Sequence, residues 1–211
     1  MSDIKLYYFP GACSLASHIL LHETGVPFTG KPQERSPFSE ELRALNPKVK
    51  VPVLTIDGNV VTEGPAIMTA ISSLAPEKNL TGAPGTLEAF KILEYLIWLS
   101  GTLHGTGYSM VIRPQRFVDN PAEHDNVKQK ALEIIRGCYE SIEQGLGKSE
   151  GEYAFGKSFT AVDAYLFVFW RWGSQIGKLD MDSLYPKYGT LAKAVARREA
   201  TIAALKAEGL E

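Results

Sequence analysis

The chain has 211 residues, 45% of them hydrophobic and 22% charged, with a formal net charge of −2. That length suits two small folded units better than one, and the composition is that of an ordinary globular protein. The balanced charge leaves no basic surface for nucleic acid, and no apolar run reaches membrane-spanning length, since Ala164 to Trp170 is stopped by Arg171.

In chain order, Ile4-Lys5-Leu6-Tyr7-Tyr8 is a β-branched and aromatic run ended by Pro10-Gly11, and predicts a strand. Leu15, Ala16, Ile19 and Leu20 then recur at helical spacing, and the helix they predict stops at Gly25. Val26 to Thr29 reads as a second strand, and Glu40 to Leu45 as a short helix ended by Asn46-Pro47. Val51 to Ile56 predicts a strand, Asp57-Gly58 a tight hairpin turn and Val60-Val61 the return. A helix is expected over Pro65 to Leu74, with proline in its first turn. Residues 75 to 86 are rich in Pro, Gly and polar groups, and only helical patterns follow: Leu87 to Leu103, Asn126 to Leu146, Ala161 to Trp172 and Leu191 to Leu205. The expected architecture is an α/β domain over 1–77, a linker over 78–86 and an all-α domain over 87–211.

Two cysteines far apart in the chain make no disulfide framework and fit a reducing cytosol. No Cys/His cluster has metal-ligand spacing, so no metal is expected, and the N-terminus lacks the basic-then-apolar pattern of a signal peptide. Cys138 falls among Ile134, Ile135 and Ile142 and reads as packing.

Cys13 is different. The turn Pro10-Gly11 places it where a helix begins, and free N–H groups with the positive dipole end would lower a thiol pKa below its usual value of about 8.5. Ser14 beside it offers a second donor. The alternative is a small residue filling a strand–helix corner. Val51-Pro52 is either an ordinary strand start or a cis peptide exposing backbone for an extended ligand. Glu63-Gly64 at a helix start could bind an ammonium and a carboxylate together, or cap the helix with nothing bound. Thr160 and Asp163 form a capping box, a structural signal. His104 lies between glycines at a helix interruption, while His18, His22 and His124 read as surface or packing residues.

Six segments, taken in order, resemble the cytosolic glutathione transferases, most closely the bacterial beta class. They are KLYYFPGACSLASHILLHETG, LNPKVKVPVL, TEGPAIM, EYLIWLSGTLH, GKSFTAVDAYLF and REATIAALKAEGL. The resemblance implies a thioredoxin-like domain that binds glutathione as co-substrate, a helical domain with an apolar pocket, and a cytoplasmic homodimer serving detoxification. It implies catalytic roles for Cys13 or Ser14 near the glutathione sulfur, and a cis-proline loop at Val51-Pro52 that pairs with the cysteinyl unit. Glu63 and Gly64 would hold the γ-glutamyl head, and His104 would stand on the helical wall. Tyr8 lies near where other classes use a tyrosine, but FPGACS favours the cysteine type. Tyr108, Met110, Tyr165 and Trp172 are assigned to the electrophile pocket.

The chain departs from the class in two places. Gly30 to Ala44 is short and lacks paired lysines, and Gly105 stands where a lysine usually follows the histidine. Lys31, Arg35, Lys48 and Lys50 are the remaining candidates for the glycine carboxylate. The expected activity is addition of the glutathione thiolate to small apolar electrophiles, possible disulfide or peroxide reduction included. A dedicated monothiol thioltransferase and a non-catalytic binding or scaffold protein are the alternatives.

Overall fold

A computed structural model of the chain describes residues 2–35 and 37–211. Four strands, β1 (Ile4–Tyr8), β2 (Thr29–Pro32), β3 (Val53–Ile56) and β4 (Asn59–Thr62), form one mixed sheet in the spatial order β2-β1-β3-β4. β2 runs parallel to β1, whereas the β1–β3 and β3–β4 pairs are antiparallel. Helix α1 (Ser14–Thr24) crosses from β1 to β2, α2 (Glu40–Leu45) precedes β3, and α3 (Gly64–Ser73) follows β4.

The central strand β1 is buried at Ile4 and from Leu6 to Tyr8, and only Lys5 interrupts its apolar run. Ile4, Leu6 and Tyr8 point into the main core with Leu15, Ile19 and Ile67, while Tyr7 packs beneath α2 with Phe9, Leu42 and Val53. Two strand boundaries differ from the sequence reading. β2 begins at Thr29, where the Val26–Thr29 run was expected to end, because Val26 and Phe28 pack on the core as a connector and pairing with Lys5 to Tyr8 selects the weak strand-former run after them. β3 begins at Val53, two residues late, because Pro52 has no N–H to give the ladder.

The helical part starts with α4 (Leu87–Trp98), continues as a π-helical segment Leu99–Tyr108 and ends that rod with the short α5 (Ser109–Ile112). Helices α6 (His124–Leu146), α7 (Ala161–Gln175), α8 (Met181–Leu184), α9 (Pro186–Ala196) and α10 (Glu199–Ala207) complete it. The helix expected over Leu191 to Leu205 is thus two, broken at Arg197-Arg198, and its apolar periodicity carries across the break because both pieces bury a face. Helix α7 is buried from Ala161 to Phe169 and forms the axis of the domain. Helix α1 packs on α3, α7 and α10, so both domains share one core. Among the described residues no helix is long and apolar enough to cross a membrane.

The capping box forms as read. Asp163 is fully buried and accepts from the Thr160 N–H (2.8 Å), the Thr160 hydroxyl (3.0 Å) and, through its other oxygen, the Ala154 N–H (2.8 Å). Replacing Asp163 with alanine orphans all three donors. Urea unfolding should therefore show Asp163→Ala destabilised by about 3 kcal/mol, more than an exposed cap loses.

Candidate active site

Gly11, in the turn after β1, has φ +70°, a left-handed conformation that glycine adopts freely. This turn sets Cys13 at the cap of α1. Its peptide is held from the helical domain on both sides. The Trp172 indole Nε1 donates to the Gly11 carbonyl at 2.9 Å, and the Gly11 N–H donates to Glu208 Oε2 at 2.8 Å. The second Glu208 oxygen meets His18 Nδ1 at 2.9 Å, with both side chains buried. A carboxylate only accepts, so that nitrogen carries the proton. Of its two readings, surface or packing, His18 takes the second and links the domains, and Glu208 is a contributor that lies within REATIAALKAEGL but was not singled out there.

Beside the turn, a cleft of about 680 Å³ opens between the two domains. Cys13, Val51, Pro52, Glu63 and Gly64 line one wall, and His104, Tyr165 and Trp172 the other. The Val51–Pro52 peptide is cis. The Cys13 thiol donates to the Val51 carbonyl at 3.5 Å. The expectation of a depressed thiol pKa is overturned: burial pushes it up to about 11. The N–H groups of Cys13 and Ser14 and the charges of Arg35 and Arg113 do pull it down, as helix-terminus reasoning requires, but desolvation is larger.

Glu63 has φ +71° at the start of α3, a conformation that costs a non-glycine residue about 1–3 kcal/mol. Its exposed carboxylate takes the Lys48 ammonium, and that bond, ahead of all other effects, holds its pKa below the usual carboxylate range. The first-turn N–H groups of α3 beside it have no partner within the helix. His104 is held down to about 4, first by burial and then by the charges of Lys50 and Arg113, so its imidazole is neutral at ordinary pH. Its ring lies edge-on to Trp172 at 5.3 Å.

Several expected site residues stand elsewhere. Ser14 is fully buried, and its hydroxyl donates to the Phe9 carbonyl at 3.3 Å, turned away from the cleft. The Tyr8 hydroxyl is spent on the Ala207 carbonyl. Lys31 lies in β2 and does not line the cleft, and Lys48 is occupied by Glu63. Of the four candidate cations, Arg35 and Lys50 reach the cleft.

Tyr108 and Met110 are not on the pocket wall either. Tyr108 is fully buried, bonded to Tyr139 and stacked on Phe169. The π-helical turn explains this. The Ser109 N–H bonds the His104 carbonyl, a five-residue repeat in place of four, so the face that shows His104 next shows Ser109. Ser109, Ile112 and Arg113 line the cleft where Tyr108 and Met110 were expected. Gly107 serves this packing: a Cβ there would lie 2.8 Å from Ile135 of α6. Apart from Arg113, the wall also carries Arg116, and no motif marked either. Among the described residues no group of three or more His, Cys, Asp or Glu converges as a metal site.

Comparison with known proteins gives the family and the fold. Residues 11–74 match the glutathione S-transferase N-terminal domain family. The chain is 33% identical to glutathione S-transferase GstA of Escherichia coli O157:H7, over 99% of this chain and 100% of that one. It belongs to the glutathione S-transferase family. Among solved structures it is similar to the bacterial beta class glutathione S-transferase of Sphingomonas chungbukensis, with TM-score 0.86, 34% identity and coverage of 98% and 100%. A sphingomonad glutathione S-transferase complexed with glutathione matches at TM-score 0.85 and 35% identity, with the same coverage. The thioredoxin-like sheet followed by a helical domain is the fold of these transferases.

Two measurements check the site. Iodoacetamide labelling of Cys13 in the ligand-free protein should stay slow through pH 8 and rise toward pH 11, whereas a plateau by pH 7 would show a stabilised thiolate. Glu208→Ala leaves both His18 and the Gly11 N–H without their acceptor and should cost about 3 kcal/mol in urea unfolding; Glu208→Gln, which keeps one acceptor, should cost less.

Proposed function

We propose that this chain is a glutathione transferase that adds the glutathione thiolate to an electrophilic carbon of small, largely apolar compounds. The observation that carries this reading is the convergence, in one cleft, of Cys13, the Val51–Pro52 edge, Glu63–Gly64 and His104 from four separate stretches of sequence. The γ-glutamyl ammonium meets the Glu63 carboxylate, and its α-carboxylate takes the free N–H groups that open α3. The cysteinyl unit pairs with the backbone of Val51 as an added strand would. Arg35 and Lys50 are the cations available to the glycine carboxylate.

That arrangement delivers the sulfur to the start of α1. There Cys13 acts as a protonated donor: a thiol whose pKa is about 11 gives a hydrogen bond to the glutathione thiolate and does not compete with it as nucleophile. The neutral His104 ring and Trp172 wall the reacting sulfur from water. The bond to carbon forms as the electrophile's leaving group departs or its double bond accepts the pair. The same thiol state argues against a dedicated thioltransferase working through a Cys13 thiolate.

Cytosolic detoxification as a homodimer completes the proposal. The homodimer is supported by an apolar stripe on α4, where Leu87, Phe90, Leu93 and Ile97 recur at helical spacing, all exposed, with Phe90 60% accessible. Such a stripe on a monomer's surface favours a contact with another protein surface, here a second copy.

Calorimetry tests the glutathione site directly. Glu63→Gln removes the charge facing the ammonium and should weaken glutathione binding about tenfold. Absence of any glutathione binding at millimolar concentration to the unaltered protein would sink the transferase reading in favour of a scaffold.

A further inference from the structure

The charge of the cleft exceeds what glutathione uses. Arg35, Lys50, Arg113 and Arg116 all line it, against the single carboxylate of Glu63, in a chain whose net charge is −2. Glutathione's glycine carboxylate accounts for Arg35 or Lys50, on the side of the cleft built by the segment before β3. Arg113 and Arg116 come from the other side, at the end of α5 and in the one-turn 3-10 helix Pro114–Arg116, next to Ile112. Among the described residues neither forms an ion pair or a side-chain hydrogen bond. Arg113 is half-buried, and burial together with the charges of Arg116 and Arg35 pulls its pKa down. Its guanidinium therefore sits among like charges, close enough to the thiol of Cys13 to be felt there.

We infer that Arg113 and Arg116 hold a carboxylate of the second substrate, so that the electrophiles preferred by this site are anionic at one end and apolar where they react. This rests on the transferase reading. A guanidinium matches a carboxylate in a planar, paired geometry, and a partly desolvated one gains most from it. Ile112, Tyr165 and Trp172 supply apolar surface beside the two arginines, so a planar ring bearing a carboxylate meets both demands.

The test compares 4-chloro-3,5-dinitrobenzoate with its neutral amide. In each, the glutathione thiolate attacks the chlorine-bearing carbon, a C–S bond forms, the C–Cl bond breaks and chloride leaves with the electron pair; the thiol proton goes to solvent. After correction for the uncatalysed rates, kcat/KM for the carboxylate should exceed that for the amide roughly tenfold. That ratio should approach one in the Arg113→Gln/Arg116→Gln double variant and be largely kept in Arg113→Lys. Raising sodium chloride from low to high concentration should slow the carboxylate selectively. Turnover of both substrates at a ratio near one in the unaltered protein, or a ratio that the double variant leaves intact, overturns the inference while the transferase reading stands. A double variant whose only defect is a raised KM for glutathione also overturns it, since the arginines would then serve the glycine carboxylate. Absence of glutathione-dependent turnover of either substrate removes the transferase reading and this inference with it.

Discussion

The grip on the Gly11 peptide is the constraint from which the site follows. A turn after the central strand of a four-stranded sheet has little to fix its conformation, yet here both backbone polar groups of one residue are claimed by the helical domain, by Trp172 and Glu208. Because Glu208 is itself tied to His18 on α1, sheet, first helix and C-terminal segment close on one another. Buried hydrogen bonds to a charged acceptor are stiff because the alternative is an unpaired buried charge. The position of Cys13 is thereby tied to residues near the far end of the chain, and the two domains together build one cleft.

At that position two effects of opposite sign meet. The helix N-terminus and the nearby guanidinium groups favour a thiolate, while enclosure between β1, α1 and the Val51 carbonyl favours the thiol. Enclosure prevails, and the thiol stays protonated. At His104 there is no such competition: burial and the neighbouring cations act in one direction and leave it neutral. A neutral histidine, a protonated thiol and three arginines beside the lone Glu63 carboxylate together describe a pocket that chiefly receives negative charge.

The helical wall owes its composition to ten residues of π-helix. A widened turn rotates everything after His104 relative to an α-helical rod, sending Tyr108 into the core against Tyr139 and Phe169 and bringing Arg113 to the cleft. Gly107 permits that rotation by letting the segment press against Ile135. Without it, an aromatic ring would stand where the cationic wall begins.

The sequence by itself determined the elements whose signal is local. Gly25 stops α1, Asn46-Pro47 ends α2, Asp57-Gly58 turns the hairpin, and Thr160 with Asp163 starts α7 through bonds spanning three residues. Motif order likewise made Cys13, Val51–Pro52, Glu63–Gly64 and His104 legible as candidates, and the fold brings them to one cleft. Tertiary structure decided the rest. The start of β2 was set by its partner strand, since TGKP has little preference for extended backbone of its own. The protonation of Cys13 depended on how much protein surrounds it, which no window of sequence reports. Ser14 and Lys48 were claimed by the Phe9 carbonyl and the Glu63 carboxylate, and the roles of Glu208, Arg113 and Arg116 arose from contacts across the fold. Local backbone preference is written residue by residue, whereas desolvation and partner choice belong to positions in space.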